Sequence, residues 1–177
     1  MITLKPAHFA GSFYSSPSWL TNGHWAVKRD RCSNGAALNI ESAGLFFGSG
    51  ANKVTMKREM TDADVAKAAK ASGSAQWTVT RFRHESDRGL NTIILVSAAG
   101  GHTAIDAKYA AALGIMPGNT LYGHENGLSA LSDSPEPETL SFVLMPVRSG
   151  VDDDALEAFA GVIGAKLAKA NKGRKAA

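Results

Sequence analysis

Leu90-Asn-Thr-Ile-Ile-Leu-Val-Ser-Ala-Ala99 is the stretch that decides how this chain is read. Apolar residues fall on both alternating positions, so it reads as a strand buried on both faces. It is far short of the roughly 20 residues that a membrane-spanning helix needs. Downstream, Asp106 can cap a short helix with its own carboxylate, and Gly114 and Pro117 end that helix. Three further strands are read as Asn119–Glu125, Gly127–Asp133 and Leu140–Arg148, with an acidic turn at Asp133–Glu138 before the last. Upstream, Gln76–Arg83 alternates as a strand. Before it, Thr61 opens a helix of about three turns that stops near Gly73 and sets Lys67 and Lys70 on one face. Lys53–Met60 reads as a half-exposed strand, and the first 50 residues as short strands and turns centred on Trp25-Ala-Val27 and Gly44-Leu-Phe-Phe47. Asp152 to Asp154 open a terminal helix through about Ala170, with Leu156, Phe159, Ala160, Ile163 and Leu167 at spacings of three and four. The expected class is α+β: antiparallel strands with two short helices, then a C-terminal helix. The expected division is one domain over 1–150, followed by the helix and a basic tail over 151–177.

At 177 residues, 44% hydrophobic and 20% charged, the chain suits one well-buried domain and excludes a wholly disordered or fibrous protein. The start of the chain has no apolar core of secretion-signal type. The single cysteine, Cys32, has no intramolecular partner, and no cysteine pair is present for structural zinc. A reducing cytoplasm is the expected location, and no membrane contact is expected. The net charge of +3 conceals an asymmetry. Residues 165–177 hold Lys166, Lys169, Lys172, Arg174 and Lys175 and no acid, while 14 basic and 16 acidic residues share the rest. A basic end of this kind suits contact with a polyanion, or is simply solvated.

Two distant segments resemble one family. Thr21-Asn-Gly-His-Trp-Ala-Val-Lys28 resembles the T-D-G-H-R-L-A signature of bacterial β sliding clamps, the rings that tether a replicative polymerase to DNA. Phe142-Val-Leu-Met-Pro-Val-Arg148 resembles the terminal strand of those clamps, and Ile105–Leu113 is similar to the short helix that precedes their closing strands. Asn22 stands where the signature has an acid, Trp25-Ala26 where it has Arg-Leu, and 29 residues follow Arg148. The small size points to a phage or mobile-element version. The resemblance implies a hydrophobic cleft that captures client peptides of polymerases. One wall would be Thr21, Gly23, His24, Trp25 and Ala26, and the other Val143, Met145, Pro146 and Val147. The alternative is that Val143, Met145 and Trp25 are core residues. The resemblance also implies non-specific contact with double-stranded DNA through Lys67, Lys70 and Lys108, joined by the basic tail. A closed ring would take about six such domains, so a homo-oligomer is expected.

Catalytic readings are fewer. His8, His24, His84, His102 and His124 could build a small histidine-dependent nucleic-acid or nucleotide hydrolase if the fold gathered them. However, no H-E-x-x-H, no G-x-S-x-G and no phosphate loop is present. Cys32 lies near Lys28, Arg29 and Arg31, which could lower its pKa, yet it has no evident base. The sequence therefore reads as non-enzymatic, with no cofactor and no metal. A DNA-binding accessory protein acting through its tail is the other alternative.

Overall fold

The computed structural model describes residues 1–9, 12–35, 55–59, 61–63, 65, 67, 73–85, 89–149 and 151–175. Among the described residues, ten strands form one sheet: β1 Ser12–Ser15, β2 Trp19–Thr21, β3 Trp25–Lys28, β4 Thr55–Glu59, β5 Ala75–Glu85, β6 Asn91–Ser97, β7 His102–Asp106, β8 Thr120–Gly123, β9 Leu131–Ser132 and β10 Phe142–Leu144. Their spatial order is β4-β1-β2-β3-β10-β9-β8-β5-β6-β7. All neighbours are antiparallel except β1 and β4. Helix α1 is Ala107–Ala112 and helix α2 is Asp153–Lys175.

This corrects the expected α+β class with two short helices. The protein is mostly sheet, and α2 is the one helix of seven or more residues that can be delimited among the described residues. Two local causes account for the difference. His102-Thr-Ala-Ile-Asp106 forms a strand that pairs with β6 before any helix begins, and α1 ends after six residues, at Leu113 and Gly114. Of the helix expected from Thr61, Asp62, Ala63, Val65 and Lys67 are helical. The expected strand centre Gly44–Phe47 lies outside the described residues.

β6 explains how the layers are built. Ile93 and Leu95 face a core that includes Trp77, Val79, Ile105, Leu121, Leu131, Leu144, Trp25, Phe9 and α1 residues Tyr109 and Ala110. Ile94 and Val96 face the opposite way, against Ala104 and the α2 residues Leu156 and Ala160. Directly paired residues share a face of a sheet. The register therefore carries that second face from Val96 through Thr78, Thr120 and Tyr122 to Ser132, Val143 and Ala26. There a third cluster forms from Trp19, Ala26, Val65, Ala130, Leu140 and Val143. One face thus carries α1, and the other carries α2 and Val65. The sheet also bends round on itself. Four strands separate β10 from β7, yet Val147 bridges Ala104, with its amide donating to the Ala104 carbonyl at 2.8 Å.

α2 runs along β6 and passes the β6–β7 turn at Gly164. A Cβ there would lie 2.9 Å from the Cα and N of Gly100 and from the Ser97 carbonyl oxygen, so helix and turn touch backbone to backbone. Gly161, one turn earlier, has open space where its Cβ would stand. Gly164→Ala should therefore lower stability by about 1–3 kcal/mol, because rigid backbone must give way. Gly161→Ala should raise it by about 0.5–1 kcal/mol through helix propensity. Urea unfolding of the two variants checks this; equal effects would contradict the close contact.

Candidate peptide-binding groove

The two separated motifs meet in the fold. β3 and β10 are adjacent antiparallel strands, with Phe142 opposite Val27, Val143 opposite Ala26 and Leu144 opposite Trp25. The Met145 amide continues the ladder, donating to the His24 carbonyl at 2.8 Å.

The turn between β2 and β3 is organised by Asn22, whose side chain is buried. Its Oδ1 accepts from the amides of His24 (2.8 Å) and Trp25 (3.1 Å), and its Nδ2 donates to the His8 carbonyl at 2.8 Å. Thr21 Oγ1 donates to the Trp25 carbonyl and accepts from the Gly23 amide. The Trp25 indole also donates to the His8 carbonyl, at 3.0 Å, and its ring meets Phe9 and Tyr109 edge-on. The 3-10 turn Pro6–Phe9 is thereby tied to the motif. This gives Asn22 a physical role that an acid could not fill, since a carboxylate has no proton to offer the His8 carbonyl. Burial raises the Tyr109 pKa, and a hydrogen bond from Asn22 opposes that shift. Burial, followed by Lys108 and Lys5, holds His8 below the usual imidazole pKa.

Of the residues expected in a cleft, Thr21, Trp25, Ala26 and Val143 are buried. Trp25, at 2% exposure, is a core residue. Gly23 and His24 are exposed, and the His24 imidazole stacks on Tyr109 at 6.0 Å between centroids. Met145 is 40% exposed, with Pro146 and Val147 half-buried behind it. These last three lead into a groove of about 570 Å³, which Pro146 and Val147 line together with Leu128, Ala104, Val151 and Leu156. His102, Arg148, Ser149 and Asp153 supply its polar lining. The size is that of a small-ligand or peptide side-chain pocket.

Leu128 was not foreseen in this role, although a large apolar residue inside the turn Glu125-Asn-Gly-Leu-Ser129 is the signal for it. It is 77% exposed. Its position follows from Gly127, whose φ of 65° and lack of a Cβ let it pack against Trp77 and Thr103. Thr103 Oγ1 donates to the Gly127 carbonyl at 2.6 Å, and the Leu128 amide donates to Asn126 Oδ1 at 3.0 Å.

The expected DNA-contacting residues do not share one surface. Lys67 and α2 lie on the second face of the sheet. Lys108 is on α1, over the first face, with its Nζ 5.7 Å from the Tyr109 ring centre. Lys70 lies outside the described residues. On α2, Lys166 and Lys169 are exposed, and Lys172, Arg174 and Lys175 continue the same helix. Among the described residues, no group of three or more His, Cys, Asp or Glu could hold a metal ion. Cys32 is buried, and desolvation pushes its thiol up to about 11 against the opposing pull of Arg29. No helix is long and apolar enough to cross a membrane among the described residues. No family model, curated protein or solved structure matches the chain.

The Asn22 network predicts that Asn22→Asp lowers stability by about 1–3 kcal/mol, because two oxygens then face each other in a buried turn. Denaturant unfolding at neutral pH measures it, and an unchanged midpoint would show that the turn does not depend on that donor.

Proposed function

We propose that the protein is a non-enzymatic binding module of the sliding-clamp kind. It would capture short apolar peptides of client proteins in the groove beside β10 and contact nucleic-acid phosphates through the basic end of α2. The observation that carries the peptide reading is Leu128, a large apolar side chain left open to solvent over a groove that it lines together with Pro146, Val147, Val151 and Leu156, with Met145 also exposed next to Pro146 in the chain. Single exposed apolar residues need no explanation, but an exposed Leu over a groove lined by both apolar and charged residues suits a partner. Pro146 within the lining has no amide to donate, and Met145 can adapt to differently shaped side chains. A peptide that buries two aliphatic or aromatic side chains gains roughly 1.5–3 kcal/mol from each before ordering costs, so micromolar affinity is the expected scale. Trp25 has no direct part in this reading. Its role is to hold the β2–β3 turn beside Met145.

The nucleic-acid reading rests on the far end of α2. Past Ala168, Lys169, Ala170 and Asn171 are exposed, and the charged residues of the helix are all basic through Lys175. Such contacts go to phosphate, depend on salt and carry no sequence code.

A fluorescent client peptide from a replicative polymerase, carrying two adjacent large apolar side chains, tests the first reading by anisotropy. The intact protein should bind it in the micromolar range, Leu128→Glu should abolish binding, and Met145→Ala should weaken it about tenfold. Circular dichroism should show both variants folded. No binding by the intact protein, or equal binding by all three, would overturn the groove. Deleting residues 165–177 should flatten the salt dependence of duplex DNA binding while leaving peptide affinity unchanged.

A further inference from the structure

The second face of the sheet is covered in two places, and the strip between them is open. α2 covers Ile94, Val96 and Ala104, and the cluster of Val65 with Trp19 and Val143 covers the other side. Between them, β5 and β8 set Gln76 opposite Tyr122 and Thr78 opposite Thr120, and none of these four is buried. α2 forms one wall of the strip. Its Phe159 ring meets the Phe82 ring of β5 at 5.1 Å between centroids. Five residues on, Gly164 stands against the Ser97 carbonyl, and Ser97 pairs with Trp77. The helix therefore runs beside β5 from the level of Phe82 back to that of Trp77, next to Gln76 and Tyr122.

Aromatic rings stand at both ends of this strip. Phe82 is 41% exposed although it touches Phe159, and Tyr122 is half-buried. Along β5, six residues separate Phe82 from Gln76, which is about 20 Å of strand. Cations accompany both rings. Arg81 and Arg83, on either side of Phe82 in the chain, are exposed, and past Thr78 β8 no longer pairs with β5. At the other end, Lys166 is exposed. It stands seven residues after Phe159, close to two full turns, so it lies on the same flank of α2 about 10 Å further along. The acids of α2, Asp153, Asp154 and Glu157, stand roughly 120–160° round the helix from Phe159 and do not share that flank.

We infer that this strip is a platform for a single strand of nucleic acid, whose unstacked bases lie on Tyr122 and Phe82 and whose phosphates meet Lys166 and the arginines at the edge of β5. An open sheet face that is merely polar needs no partner. This one carries a ring at each end and cations beside both. Stacking of a base asks only for an exposed aromatic face and tolerates any sequence. A duplex keeps its bases inside and cannot offer them, so the rings favour the single strand. Gln76, Thr78 and Thr120 offer amide and hydroxyl groups to base edges between the rings. The inference rests on the phosphate reading of α2 for Lys166 and deepens it by naming the form of nucleic acid; the peptide groove has no part in it.

Fluorescence anisotropy of the full chain with a labelled oligothymidylate of about 15 nucleotides, beside a DNA duplex of the same length, tests this. The single strand should bind about tenfold more tightly than the duplex at equal salt. Tyr122→Leu and Phe82→Leu, which keep the bulk and lose the ring, should each weaken oligothymidylate binding about tenfold and leave duplex binding unchanged. Tyr122→Phe, which keeps the ring, should bind as the intact protein does. Lys166→Gln should reduce the salt dependence of single-strand binding. An oligouridylate should bind within a few-fold of oligothymidylate, since rings and phosphates serve both. Equal affinity for single strand and duplex would overturn the platform. So would ring variants that are folded by circular dichroism yet bind like the intact protein, a Tyr122→Phe variant as weak as Tyr122→Leu, or binding confined to oligouridylate. Failure of the phosphate reading shows differently, as a salt dependence of duplex binding that survives deletion of residues 165–177.

Discussion

The pairing of β3 with β10 is the contact on which the rest of the structure depends. It joins strands from opposite ends of the chain, and everything on the β4-β1-β2-β3 side of the sheet is attached to the rest of the sheet there. Bringing such distant segments together costs loop-closure entropy, which the pair offsets by burying apolar residues on both faces. Trp25, Val27, Phe142 and Leu144 enter one core, while Ala26 and Val143 enter another. The same pairing determines where β10 ends. The chain leaves the ladder at Met145, turns at Pro146 and reaches the edge of β7 through Val147. Groove, helix α2 and sheet curvature all follow from that exit.

The second constraint is that β6 is apolar on both faces. A strand with Ile93 and Leu95 on one side and Ile94 and Val96 on the other must be covered twice. α1, with its Asp106 cap, lies on one side, and α2 on the other. Because α2 is held there through Gly164 and the β6–β7 turn, its face opposite Leu156 and Ala160 is turned away from the sheet. The proposed division of labour uses this geometry, with peptide beside β10 and phosphate at the C-terminal end of α2.

Much of this was legible in the residues, and the failures have physical causes. The alternation in Gln76–Arg83, the doubly apolar run at Thr92–Val96, the Asp106 cap and the α2 stripe all declare themselves locally, and β5, β6, α1 and α2 form there. The fold class was misread because β7 is short and flows directly into α1, so periodicity alone merges the two. The strands β9 and β10 are also shorter than their sequence suggested, since Leu128 and Pro146 lie outside the ladder and line the groove. The two motif segments lie on adjacent strands, but hydrophobicity could not say which of their residues would be buried. Trp25 went inside because the His8 carbonyl was available to its indole, and Met145 remained outside because β10 ends one residue before it. Cys32 shows the same limit. Nearby cations in sequence suggested a lowered thiol pKa, whereas burial raises it.

Cross-strand proton distances measured by NMR on isotopically labelled protein test the β3–β10 pairing most directly. Leu144 opposite Trp25 and Phe142 opposite Val27 flank the hydrogen-bonded pairs, positions where opposing Cα atoms approach to about 4.5 Å. The account predicts strong Hα–Hα contacts for both pairs, in a register that also places the Met145 amide against His24. Their absence, or contacts from either strand to a different neighbour, would contradict it.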